Sequence, residues 1–438
     1  MAFVHDQSCE CVKSELDLFA VPPTQTSIES ASYVEYNPIS TISDGIPIEF
    51  IVSGSGNDYI DLANTQLYVT AQILNDDNTN IANDASVAPV NLFLQSLFSE
   101  IDIKINDTLI TSTNNTYPYR AYLETLLSYG DEAKNSQLTS AMFYRDTAGH
   151  MDAHNSAADN CRNAGLVKRR EYFRTSRLVD MVGRLHCDLF FQEKYLPSGM
   201  DIKMRFVRSK DAFCLMAADD GFKVRIRECK LLVRRVKLSP SVFVAHGKAL
   251  EVGNAKYPVR RVICKSFTIP RGNLDFSQEN LFTGQIPTRL VLCCVDNTAF
   301  NGSYKENPFN FKHFNLSQLK IYIDGQQHQV RPLELNFDQQ KYILAYQSLF
   351  SGTGKQYKDE GNLIQRDEFP GGFAIYCFDL TPDMAEGDHF NLIKEGSVRV
   401  DMKFADALPN TINVVTYCEF ENILEVDSMR NVLFDYST

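Results

Sequence analysis

Ser99-Glu-Ile-Asp-Ile-Lys-Ile-Asn-Asp107 and Ser317-Gln-Leu-Lys-Ile-Tyr-Ile-Asp-Gly325 are the two stretches on which the reading of this 438-residue chain turns. In each, apolar and polar residues alternate, which gives a strand one buried face and one wet face. The apolar positions match one for one: Ile101 with Leu319, Ile103 with Ile321, Ile105 with Ile323. Each stretch ends on a turn signal, Asn106-Asp107 or Asp324-Gly325. A Tyr-rich amphipathic segment follows in both places. The first runs from Tyr119 to about Lys134, with Tyr122, Leu123, Leu126 and Leu127 on one side. The second runs from Asp338 to Phe350, with Tyr342, Ile343, Tyr346, Leu349 and Phe350.

Further matches follow in the same order. Leu185-His-Cys-Asp-Leu189 pairs with Ile375-Tyr-Cys-Phe-Asp-Leu380, and Met200-Asp-Ile-Lys-Met-Arg-Phe206 pairs with Val398-Arg-Val-Asp-Met-Lys-Phe404. The offset falls from 218 to 198. A loop insertion of roughly 20 residues accounts for this, and the polar stretch Asp146 to Gly165 is its expected place. Alternation alone aligns any two strands. Three matches in one order, with a helix between the first two, point instead to duplication. Alternation continues through Ile412, Val414, Thr416, Cys418 and Phe420. The predicted organisation is all-β: an extended N-terminal arm over residues 1–45, one β-domain over 46–240 and a second over 241–438. The join is expected near Ser239-Pro240.

Composition narrows the class. Hydrophobic residues at 44% and charged residues at 22% exclude a disordered chain, a collagen and a coiled-coil rod. The 29 Phe and 20 Tyr, with no Trp, favour pleated surfaces. No run of eighteen apolar residues offers a transmembrane helix. Met1 to Glu10 lacks the basic and apolar regions of a secretory signal. The 11 cysteines are odd in number and form no Cys-x-x-Cys pair, so they read as reduced thiols of a protein made inside a cell.

Enzyme motifs fail on inspection. His150 and His154 stand at zinc-protease spacing, but Met151 occupies the place of the general-base Glu. Ser351-Gly-Thr-Gly-Lys355 lacks the first Gly of a phosphate loop, with Leu349 in its place, and Gln356 stands where Mg²⁺ needs a hydroxyl. No Gly-x-Ser-x-Gly or His-x-His occurs, which removes the nucleophile elbow and the double-cupin metal site. The Asn-x-Ser/Thr triplets at Asn106, Asn114, Asn301 and Asn315 read as chance without a signal peptide. The expectation is no catalytic residue, no metal and no cofactor.

Charge is the remaining feature. The net −12 divides into about −16 over residues 1–165, about +14 over 166–271 and about −10 over 272–438. Lys223, Arg225 and Arg227 alternate with apolar residues. Arg234, Arg235 and Lys237 follow, and Lys168-Arg-Arg170, Arg174 and Arg177 add to the basic middle. Three readings stand: a solubilising face, an interface with an acidic neighbour, or a surface facing packaged nucleic acid.

Four stretches carry a family resemblance: Thr116-Tyr-Pro-Tyr-Arg-Ala-Tyr-Leu-Glu-Thr-Leu-Leu127, Asn307-Pro-Phe-Asn-Phe311, Tyr376-Cys-Phe-Asp-Leu-Thr-Pro-Asp383 and Arg430-Asn-Val432. With the tandem β-domains, they resemble the double jelly-roll major capsid proteins of the adenovirus and tailless-phage lineage. They are most similar to the hexon of Polinton, or Maverick, elements and adintovirus-like viruses. The resemblance implies two tandem eight-stranded jelly rolls with short helices in the connections, and a homotrimer of pseudo-hexagonal outline that tiles an icosahedral virion shell. It implies partners of three kinds: further copies of the chain, a single jelly-roll vertex protein, and non-specific contact with packaged DNA. Lys223, Arg225, Arg227, Arg234 and Arg235 are the candidate assembly residues. The rival readings are another β-sandwich virion protein or an intracellular binder of carbohydrate or protein, with a double-barrel enzyme third.

Overall fold

The computed structural model describes residues 7–54, 56–328, 331–384 and 389–434. Met1 to Asp6 of the expected arm and the last four residues of the second β-domain lie outside the described residues. The first half contains β1 (Ile28–Tyr36), β2 (Ile48–Val52), β3 (Tyr59–Asn75), β4 (Phe98–Ile105), β5 (Thr108–Thr111), β6 (Val179–Arg184), β7 (Ile202–Arg208) and β8 (Phe222–Leu238). The second contains β9 (Ala255–Ile269), β10 (Asp275–Gln285), β11 (Arg289–Asp296), β12 (Leu316–Ile323), β13 (Gln326–Gln327), β14 (Ile375–Asp379), β15 (Glu395–Phe404) and β16 (Ile412–Val426). The first half builds sheets β1-β8-β3-β6 and β2-β7-β4-β5, and the second builds β9-β16-β11-β14 and β10-β15-β12-β13. Along these paths the two orders are the same; short extra strands Leu333–Glu334 and Val432–Phe434 join the second half's sheets, and Val87–Pro89 pairs with Leu215–Ala217 in the first half. Each half is a two-sheet antiparallel jelly roll, as the repeat and the resemblance led one to expect.

The deciding stretches are β4 and β12, each third in its sheet. Both feed a two-residue hairpin with left-handed residues, Asn106 (φ 45°) and Asp107 (φ 69°) in one, Asp324 (φ 50°) and Gly325 (φ 76°) in the other. Paired positive φ gives the turn whose twist matches that of the strands. The outer two repeat matches are right in place, but the last of them is wrong in register. Phe206 pairs with Ile101, whereas Phe404 pairs with Leu316 and Met402 pairs with Leu319. The β7 and β15 alignment is therefore off by two residues, a slip that period-two alternation cannot detect because the same face stays inward. The Leu185–Leu189 match fails outright. That segment lies after β6, whereas Ile375 to Asp379 form β14, the counterpart of β6 itself.

The range 1–45, expected as an arm throughout, contributes a strand. Residues 28–36 pair antiparallel with β8, from Ile28 opposite Leu238 to Tyr36 opposite Leu231. Its seven central residues are exposed, so no apolar alternation marks it in the sequence. Strand β8 keeps its apolar face inward through two bulges, between Ile226 and Glu228 and between Leu232 and Arg234, which reset the parity of its alternation.

Four longer helices decorate the sheets: α1 (Tyr117–Ser128), α2 (Ala164–Phe173), α3 (Pro240–Val252) and α4 (Ile343–Ser351). Helix α3 occupies the expected join between β8 and β9 and buries none of its residues. Among the described residues no helix is long and apolar enough to cross a membrane. All eleven cysteines are unpaired. One hydrophobic cluster, from Ile48 to Val432, runs through both halves without a break.

Candidate functional site: the seam between the halves and the basic strand

Helix α1 makes the cluster continuous. Pro118 sits in its first turn, where its missing N–H costs nothing. Ten of its twelve residues are buried, far more than one apolar stripe needs, because the helix is gripped from both sides. Tyr122 stacks on Phe309 with ring centroids 4.2 Å apart and planes 9° from parallel. Tyr119 stacks on Phe300 at 5.3 Å. Thus two of the stretches that carried the resemblance, 116–127 and 307–311, meet each other across the seam.

Inside this apolar contact lies a polar core. Arg120 Nε bonds Glu124 Oε1 at 2.9 Å, and its Nη2 lies 2.8 Å from Asp188 Oδ1. Glu124 Oε2 meets His186 Nδ1 at 2.6 Å. From the second half, the Val262 N–H donates to Asp188 at 3.1 Å and Tyr417 Oη donates to Glu419 at 2.8 Å and to Glu124 at 3.4 Å. Arg289 then pairs with Glu419 at 3.0 Å. Burial opposes the charge on Glu124, but Arg120 and His186 outweigh it and hold the carboxyl below its usual pKa.

The polar insertion is a second clamp. Expected as a polar loop insertion, Asp146 to Gly165 holds buried Asp146, Met151 and Asn163. Asp146 accepts from Arg169 at 2.6 Å, from Asn163 at 3.0 Å and from Asn307 at 3.0 Å. Asp152 accepts from the Asn307 backbone at 2.9 Å and Asn310 Nδ2 at 2.8 Å, and pairs with Lys312 at 2.9 Å. The polarity therefore serves contact between halves rather than solvation. Gly372 (φ 119°) lies at this clamp, where a Cβ would strike Met151 and Asn310. The third clamp is Arg430, whose Nε donates to Ser198 O and whose carbonyl accepts from Asn106 Nδ2, both at 2.8 Å. The stretch 376–383 stays within the second half, where Tyr376 packs edge-on against Phe369.

Lys134 also crosses the seam, donating to Leu126 O at 2.6 Å and Asn362 O at 2.8 Å. Burial pulls its pKa down to about 7, with Lys355 adding to the effect. The folded value lies below the unfolded one, so the unfolded chain binds more protons between them. Stability from this group is lowest below pH 7 and rises with pH above it. Urea midpoints measured from pH 6 to pH 9 should rise for the parent and rise less for Lys134→Met. Equal slopes would show that Lys134 does not set the trend.

The basic residues divide. Arg235 turns inward to Tyr36 and the Ser53 carbonyl, and Arg234 pairs with Asp61 at 3.0 Å. Lys230 and Lys237 meet Glu35 and Glu29 of β1 at 3.3 and 2.9 Å. Lys223 bonds the Asp76 carbonyl, Arg225 reaches Asn78 at 3.3 Å, and Arg227 stands exposed at the first bulge. The surface also carries a mixed-charge cavity of about 320 Å³ beside Arg289, Glu124 and Lys355, and an apolar groove of about 940 Å³ under α3. Among the described residues no three His, Cys, Asp or Glu side chains cluster as metal ligands.

The polar core at the seam escaped sequence reading. Its one local signal was Arg120 and Glu124, four apart inside an apolar stripe. Their partners Asp188, His186, Tyr417 and Glu419 carry no shared pattern.

Comparison with solved structures settles the architecture. A chain of the Sputnik virophage matches with a TM-score of 0.65 at 12% identity, covering 99% of this chain and 94% of that one. The mavirus major capsid protein matches at 0.53 and 13% identity, covering 99% and 97%. A chain of the PBCV-1 virus capsid matches at 0.59 and 10% identity, covering 96% and 100%. This chain has the double jelly-roll fold of virus major capsid proteins. In sequence it is 28% identical over 429 residues to the uncharacterized protein F54H12.2 of Caenorhabditis elegans, covering 95% of this chain and 99% of that one. No family model matches.

Proposed function

We propose that this double jelly roll is a capsid shell protein, built to assemble rather than to catalyse. The observation that carries the reading is the same strand order, along the main sheet paths, of two sandwiches joined by a buried seam. Fused repeats turn three chains into a ring of six similar barrels, which suits six-fold neighbours in a shell. On this reading the native unit is a homotrimer that tiles a virion with a single jelly-roll vertex protein, and the chain resides in the capsid. The two jelly rolls are the units 46–240 and 241–438, the first extended back to Ile28 by its edge strand. Lys223, Arg225 and Arg227 serve assembly, with packaged DNA as the competing partner, and Arg234 and Arg235 support them from within the sheet.

The Polinton or adintovirus assignment is supported by the four resembling stretches. It is supported also by a full-length relative in an animal genome, where an integrated element would lie. Negative-stain microscopy with light scattering tests the reading. The expected result is a species of three times the 49.6 kDa chain mass, with a three-lobed or hexagonal outline, that builds shells with the vertex protein. A monomer at every concentration would overturn it.

A further inference from the structure

Helix α3 stands off the body of the molecule. None of its residues is buried, and the apolar groove beneath it runs across the join from Tyr59 to Tyr257. The first half of the helix is held to the sheet. Phe243 meets Tyr59 edge-on at 6.4 Å, and His246 Nδ1 lies 3.1 Å from Tyr59 Oη. The second half leaves Ala249 and Leu250 lining the groove. An open apolar groove of this size calls for an occupant. The chain also carries an apolar run that is packed on nothing. Residues 7–27 are exposed throughout, and Leu16, Leu18, Phe19 and Val21 among them are 69%, 77%, 95% and 86% exposed. The run has a defined shape: Ser14–Leu16 form a 3₁₀ turn, and Asp17 Oδ1 accepts from the Ala20 N–H at 3.2 Å. It leads to Ser27, which lines the groove and whose carbonyl accepts from the Ser239 N–H at 2.9 Å, where α3 begins.

We infer that residues 16–21 of one copy fill the groove under α3 of a second copy, with Phe19 against Ala249 and Leu250. The stretch from Leu16 to Ser27 spans roughly 35–40 Å when extended, enough to cross to a neighbour. A return into the groove of the same copy is opposed by the residues between. Val21 and Pro22 each precede a proline, which holds both extended. Gln25 then brackets Ile28, its Oε1 accepting the backbone N–H at 2.8 Å and its Nε2 donating to the carbonyl at 3.1 Å. A reversal would have to break that bracket. Charge agrees in sign: residues 7–27 hold three acids and one base, and the groove is lined by Lys194 and Lys256 against Glu193. The contact is heterologous, so each copy offers one arm and one groove. The inference goes beyond the shell reading, since it needs a second copy but no shell.

The chain has no Trp, so Phe19→Trp places a single reporter on the arm. Its emission should move to shorter wavelength as concentration rises, in step with the mass from light scattering. Ala249→Glu in the same chain puts a charge into the groove from an exposed helix position. It should raise the concentration needed for the shift about 10-fold or more at unchanged melting temperature. Excess Trp-free parent should then restore the shift, because the defect lies in the groove and the parent supplies an intact one. Emission that stays at long wavelength while copies associate would overturn the exchange and leave the shell reading intact. A shift in the monomer that excess parent does not rescue would mean that the arm fills its own groove, and overturns the exchange too. So would a shift seen only on adding phosphatidylglycerol vesicles, which assigns the groove to lipid. A monomer with no shift at any concentration would overturn both readings. Should Ala249→Glu unfold, hydrogen exchange of the parent decides. Association must add protection to residues 16–21 and to α3 together, and added protection elsewhere alone overturns the inference.

Discussion

Arg120→Ala will destabilise the protein by about 3–5 kcal/mol, the range for removing one partner from a buried ion pair. The guanidinium is 2% exposed and bridges two carboxylates, Glu124 of its own helix and Asp188 in the short turn after β6. Without it, both remain buried, and Asp188 still accepts from Val262 of the second half. Arg120→Lys will not rescue the loss, since a single ammonium cannot reproduce two directional contacts. Urea denaturation and limited proteolysis at the seam are the measurements. A change of under about 0.5 kcal/mol, the size of an ordinary surface substitution, would show that the network is not what joins the halves. Acid adds a second readout. The depressed pKa of Glu124 means that its contribution is complete above the unfolded value of 4.5 and fades as pH falls through the lower folded value. The parent should therefore lose more stability on acidification than Arg120→Ala.

Phe309→Ala will cost about 3–5 kcal/mol, the usual result of truncating a fully buried aromatic. Its ring lies on Tyr122 and edge-on to Tyr119 and Phe213, so the cavity opens in the middle of the seam rather than within one half. A cycle with Tyr122→Ala should be non-additive by about 0.5–3 kcal/mol, because both substitutions empty the same contact. Additive losses would mean that the rings pack independently. The loss should appear in oligomer formation as well as in melting, since the seam fixes how the two sandwiches present their outer faces.

The two jelly rolls were legible because a strand with one buried face writes its parity into the chain. Ile101 to Ile105 and Leu319 to Ile323 showed this, and their hairpins confirmed it with Asn106-Asp107 and Asp324-Gly325. The same property set the limit. Parity cannot tell a register from one shifted by two residues, which misaligned Phe206 with Phe404. It is silent for a strand exposed on both faces, which hid β1 inside the supposed arm. It is reset by bulges, which is why Arg227 and Arg234 fall off the simple alternation of β8.

What the sequence by itself determined is the all-β duplicated architecture, the hairpins and the helix after each one. All are local consequences of residue periodicity and turn chemistry. The tertiary structure alone decided which charged residues meet. Arg120 finds Asp188, Asp146 finds Arg169 and Asn307, and Arg430 reaches Ser198, over separations that no local pattern spans. It also decided that a polar insertion would be a buried clamp rather than a solvated loop. A side chain's polarity says that it requires partners, but whether water or the other half of the molecule supplies them depends on how the chain returns to meet itself.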